Sequence, residues 1–86
     1  MKAEIILPRK INLDTMKLIK RSLERSYGVE NVYVIGNRNG TITIVCRSIH
    51  TIYVSDDGRI AITFDLDDPY VYDVLQFLKK LVLCYN

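Results

Sequence analysis

The chain is poor in the residue types that most catalytic chemistry needs. It has one histidine, His50, two cysteines, Cys46 and Cys84, and four glycines in 86 residues. A histidine without a matching serine, cysteine or second histidine offers no nucleophilic constellation. Two cysteines are too few for a disulfide framework. Gly28, Gly36, Gly40 and Gly58 build no strand–turn–helix phosphate loop. No catalytic residue, metal ligand set or cofactor follows from these residues. Long apolar runs are also missing. The opening "MKAEIILPRK" is cut by Pro8 and Arg9, and "LVLCY" follows Lys79 and Lys80 and is too short to cross a bilayer. The expectation is no signal peptide, no membrane span and a cytoplasmic location with reduced thiols.

What is present is the composition of a folded domain: 49% hydrophobic and 26% charged residues. A single domain over residues 1–86 is expected. A core of this size is marginal on its own, which calls for dense aliphatic packing or a partner subunit. The net charge is only +2, but it is polarised. Residues 1–27 carry seven basic and three acidic side chains, net +4; residues 48–73 carry one basic and six acidic, net −5. Such polarity speaks about partners and not about fold.

The periodicities predict the elements. "AEIIL" reads as a short strand ended by Pro8. In the segment after it, Leu13, Met16, Ile19, Leu23 and Tyr27 recur at helical spacing, with Asn12 or Asp14 to cap the start and Gly28 at the stop. "NVYVIG" is a strand, and Asn39-Gly40 signals a hairpin. Residues 41–54 read as one long strand, bent near Ser48–His50, because no Gly, Pro, Asn or Asp marks a tight turn there. "SDDG" is a turn and "RIAITFD" another strand. Pro69 opens a last helix with an apolar stripe at Val71, Val74, Leu75, Leu78, Val82 and Tyr85. Tyr70, Phe77 and Cys84 make a second face at seven-residue spacing.

The order β-α-β-β-β-α predicts an α+β fold: an antiparallel sheet of three to four strands with two helices packed on one face. Ile42, Ile44, Cys46, Ile52, Val54, Ile60, Ile62 and Phe64 should point at the helices. Tyr33, Ile35, Thr43, Val45, Arg47, Tyr53 and Thr63 should line the other face, half apolar for a surface left in water. The α-β-β-β-α part of this order is shared with double-stranded-RNA-binding domains, but the loop and helix signatures of that family are missing. No family follows.

Two clusters carry chemistry. "FDLDDPY" places Asp65, Asp67 and Asp68 within four residues. They suit either a hard cation or, with Asp68 as N-cap and Pro69 at the first helical position, a helix start. Structural capping is the preferred reading. In the first helix Lys17, Arg21 and Arg25 are spaced four apart with Lys20 beside them, a stripe able to meet consecutive phosphates. Arg47, with Tyr33 and Tyr53, offers a stacking platform on the sheet. The functional expectation is a small binding module, a homodimer contacting DNA or RNA through its basic helix, with Lys17, Lys20, Arg21, Arg25 and Arg47 as the contact residues. The dimer would bury the free sheet face or the second face of the last helix. Two alternatives stand beside it. One is a protein–protein interaction or regulatory subunit that ignores nucleic acid. The other is a small metal-dependent nuclease-like enzyme.

Overall fold

Three residues between Arg47 and Thr51 decide the topology. In the computed structural model, which describes residues 1–65 and 67–85, Ser48, Ile49 and His50 reverse the chain. Residues 41–54 are therefore two strands and not one bent strand. These are β3 (Ile42–Arg47) and β4 (Thr51–Ser55). Arg47 pairs with Thr51 across the reversal, and the Ser48 N–H donates to the His50 carbonyl at 2.9 Å. Among the described residues no non-glycine residue has a positive φ. The turn therefore needs none of the residues that announce a left-handed conformation, and the sequence shows no turn signal. What holds it is tertiary. Ile49 stands out in solvent at the tip while His50 is turned inward and buried.

The remaining elements are β1 (Lys2–Ile6), α1 (Leu13–Tyr27), a 3-10 turn at Val29–Asn31, β2 (Val32–Gly36), β5 (Arg59–Thr63) and α2 (Val71–Tyr85). The sheet has five strands in the order β1-β5-β4-β3-β2, and every neighbouring pair is antiparallel. The α+β class is as expected; the strand count and order are not. Four strands, not three, lie between the helices.

The assignment of side chains to faces survives the extra turn for a simple reason. In one continuous strand all even-numbered residues share a face. In the β3–β4 hairpin Ile44 pairs with Val54 and Cys46 with Ile52, so even still meets even. Ile44, Cys46, Ile52, Val54, Ile60 and Ile62 are buried in one core with Met16, Ile19 and Leu23 of α1 and Leu75, Leu78 and Val82 of α2. Phe64, Val71 and Val74 pack half-buried against it. Ile42 is only half-buried, at the border of the core. The place of the Tyr85 side chain lies outside the described residues.

On the opposite face Val45 and Ala61 are buried too. Both are cross-strand partners of Tyr53, so its ring stands between two small side chains and shields them. The face is less apolar to solvent than its sequence implies.

Both glycine-marked turns form. Gly40 N–H donates to the Asn37 carbonyl at 3.1 Å and closes the β2–β3 loop. Gly58 N–H does the same to Ser55 at 3.1 Å between β4 and β5. The second turn also anchors the chain that leaves β1. Leu7 N–H reaches the Gly58 carbonyl at 2.9 Å, and Ile11 N–H reaches the Asp56 carbonyl at 2.8 Å.

Asn12 caps α1, its Oδ1 accepting the Thr15 N–H at 2.8 Å, and Gly28 ends the helix with its N–H on the Glu24 carbonyl. The start of α2 differs in detail from the expectation. The helix begins at Val71, so Pro69 sits in the preceding turn and not at the first helical position. Asp68 Oδ1 accepts the Tyr70 N–H at 2.9 Å, a cap set two residues further back.

Candidate binding surfaces

The basic stripe forms as a surface. Met16, Ile19 and Leu23 bury one side of α1, which turns Lys17, Arg21 and Arg25 outward. Lys20 lies at the margin, half-buried, with its Nζ 3.5 Å from Glu24 Oε2. Among the described residues no ion pair involves Lys17, Arg21 or Arg25. Three cations one turn apart are thus left to solvent, free to meet an external anion. Asp14 is exposed on the same helix and dilutes the field at its N-terminal end.

Arg47 is not part of that surface. It ends β3 on the face away from the helices, its guanidinium 5.7 Å from the centroid of the Tyr33 ring. The structure therefore brings Lys17, Lys20, Arg21 and Arg25 together and sets Arg47 apart across the sheet. The open face also has a depression of about 410 Å³, lined by Ile35, Thr43, Val45, Tyr53 and Arg59 among others and not by Arg47. Glu4 and Arg59 approach within 3.7 Å at its β1 side.

The acidic segments are largely occupied by the fold. Asp56 Oδ1 accepts the Ile42 N–H at 3.1 Å, and Asp57 Oδ1 accepts the Arg59 N–H at 3.2 Å. Asp65 and Asp67 lie exposed beyond β5, which ends at Thr63; Leu66, which was expected to alternate with them, lies outside the described residues. Asp68 points the other way. Its Oδ2 lies 2.7 Å from Nδ1 of His50, and both side chains are nearly buried. The approach lacks the alignment of a good N–H donor bond, and no other polar atom meets that nitrogen. The carboxylate is the group that compensates it. Among the described residues no three His, Cys, Asp or Glu side chains converge on a point where a metal ion would sit.

The His50–Asp68 contact was not foreseeable from spacing, since 18 positions separate the two. It joins the β3–β4 turn to the start of α2. Asp68→Ala should remove the Tyr70 cap and leave His50 uncompensated, for a loss of about 2 kcal/mol. Asp68→Asn keeps an acceptor for Tyr70 and should lose about half of that. Thermal unfolding of the two variants checks this; equal midpoints for both and for the parent protein would show that the contact holds nothing.

Cys46 is fully buried, and burial pushes its thiol above the ordinary range, so it stays protonated and is unsuited to nucleophilic chemistry. Tyr27 is pushed up as well, first by burial and then by the nearby Cys46. Both cysteines are free thiols and Cys84 is exposed.

Two apolar surfaces remain. Phe77 and Cys84 are exposed on one face of α2, where they share a shallow groove with Lys80 and Leu81, and Leu83 is exposed on another face of the helix. Tyr70, expected on that second helical face, is exposed but precedes the helix. A groove of about 290 Å³ runs between α1 and the β2 side of the sheet, lined by Leu13, Met16, Val34, Ile42 and Ile44 together with Lys17 and Lys20. No helix among the described residues is long and apolar enough to cross a membrane. Comparison with protein-family models, curated proteins and solved structures gave no match to this chain.

Proposed function

We propose that the protein is a small cytoplasmic binding module, a homodimer that contacts DNA or RNA through α1. Lys17, Arg21 and Arg25 meet consecutive phosphates, and Lys20 supports them from the margin of the stripe. The observation that carries this reading is the set of three exposed, unpaired cations along one helix face. A phosphate backbone rewards cation number more than exact geometry, and such a stripe meets that demand without a shaped pocket. Arg47 and Tyr33, on the other side of the sheet, form a separate platform where one unstacked base fits.

Three phosphate contacts predict that log K falls against log salt with a slope of about −2.7 for duplex and −2.1 for single strands. The combined variant Lys17→Glu, Arg21→Glu, Arg25→Glu is expected to reduce duplex affinity at least ~50-fold near 0.1 M salt. Arg47→Glu should leave duplex affinity within about twofold, because Arg47 is on the far face. Fluorescence anisotropy with labelled duplex and single strands measures all of this. Unchanged affinity in the triple variant would eliminate the helix as the contact.

A second reading, protein–protein interaction without nucleic acid, is favoured by the exposed Phe77, Leu83 and Cys84 on α2. It predicts no binding to any nucleic acid at low salt. The metal-dependent enzyme reading finds no converging ligand set among the described residues, and calorimetry with magnesium at Asp65 and Asp67 tests it directly.

A further inference from the structure

The two edges of the sheet differ in how they are finished. β1 carries Lys2 and Glu4, and Glu4 approaches Arg59. Charges of this kind protect an edge from further pairing. β2 has no such device. Its sequence is VYVIG, without charge or proline, and it pairs with β3 residue for residue without a bulge. Tyr33, Val34 and Ile35 are 37%, 49% and 42% exposed. β2 also ends the sheet, so its outward backbone groups meet no neighbouring strand.

The alternation of the ladder says which groups those are. Asn37 N–H donates to the Thr41 carbonyl at 2.8 Å, so Asn37, Ile35 and Tyr33 bond inward to β3. Val34 and Gly36 then direct their N–H and C=O groups to the open edge, as Val32 does its C=O, while the Val32 N–H is held by the Val29 carbonyl of the preceding 3-10 turn. This set is self-complementary. Under a two-fold axis at Val34, Val34 pairs with Val34 of a second copy and Val32 with Gly36. Tyr33 comes to lie beside Ile35 on the open face, and side chains of like face stay together. No like charges oppose each other anywhere in the pairing.

We infer that β2 is the seam of a homodimer, in which two copies pair β2 antiparallel to form one continuous ten-stranded sheet. This names the contact of the homodimer in the proposed function and rests on that reading. It replaces the two surfaces first expected, the open sheet face and the spare side of α2. Exposed α2 residues leave satisfied backbone behind them, whereas exposed β2 residues leave unpaired backbone, and pairing relieves both costs at once. The seam also lays the groove beside α1, with Lys17 and Lys20, along the axis, so both phosphate-binding helices lie on one face of the joined sheet. A five-residue edge covers less than the standard interface of about 1,600 Å², so the dimer should dissociate in the micromolar range.

Sedimentation equilibrium from roughly 1 to 300 µM tests the seam, a range chosen to bracket weak association. The parent protein is expected to approach the mass of a dimer. Val34→Pro removes only an outward N–H at an edge position that tolerates proline, and it should give a monomer with an unchanged circular dichroism spectrum. Should that variant not fold, Val34→Lys puts a charge on the same half-exposed site and should weaken the dimer at least ~10-fold. A parent protein that stays monomeric over the whole range overturns the homodimer and the seam together. A dimer that survives both Val34 changes, or that is broken instead by Phe77→Lys, overturns the seam and leaves the homodimer standing.

Discussion

Gly58→Ala is expected to cost the protein a large share of its stability. Gly58 has φ +94°, where an L side chain is strained by about 1–3 kcal/mol. A Cβ there would also lie 2.6 Å from the Arg9 carbonyl oxygen and 3.1 Å from that of Leu7. Both are backbone atoms, so relief requires moving the chain that leaves β1. That chain is tied to the same turn by the Leu7–Gly58 and Ile11–Asp56 hydrogen bonds. The expected loss is about 3–5 kcal/mol, on the order of 20 °C in Tm. Gly40→Ala separates the two causes. Gly40 has φ +86°, but nothing lies within 4 Å of an added Cβ, so only the backbone cost should appear, about 1 kcal/mol. Thermal melts that show equal shifts for the two variants would contradict the close approach at Gly58.

Ile52→Ala comes next in size. Ile52 is fully buried on the central strand β4, in the core shared by both helices. Truncating such a side chain removes apolar burial and leaves a cavity, at about 2–5 kcal/mol. For 86 residues the total stability is about 4–13 kcal/mol, so this one change takes a large share. Ile49→Ala, at the exposed tip of the adjacent turn, is the matched control and should shift stability by less than ~0.5 kcal/mol. Urea titrations should move the midpoint of Ile52→Ala with the slope unchanged. A midpoint equal to that of Ile49→Ala would mean that Ile52 is not in the core.

Much of the fold was legible because it follows local rules. Asn12 and Gly28 bound α1, Asn39-Gly40 and Asp57-Gly58 mark two hairpins, and the alternation in β3, β4 and β5 separates the two faces. The turn at Ser48–His50 was not legible because its stability is non-local: an inward histidine meets Asp68 from a distant loop, and no residue in the turn takes a positive φ. The same lack of local signal hid the tie between that turn and α2.

The candidate surfaces divide the same way. Lys17, Arg21 and Arg25 share a helix face by their four-residue spacing, which sequence displays directly. Arg47 shares nothing with them but charge, and only the sheet places it on the other side. The open edge of β2 had a signal that a charge count shows, a five-residue strand inside a run of seven uncharged residues. Its meaning depended on strand order, since the same run in the middle of a sheet is ordinary.

The most direct test of the proposed nucleic-acid contact is the affinity of the parent protein for a labelled duplex across a salt series. The expected result is measurable binding at 50 mM salt that weakens about 40-fold by 200 mM, with a log–log slope near −2.7 for one helix and twice that if both helices of a dimer engage. No binding at 50 mM, or binding that does not change with salt, would contradict a phosphate contact through Lys17, Arg21 and Arg25.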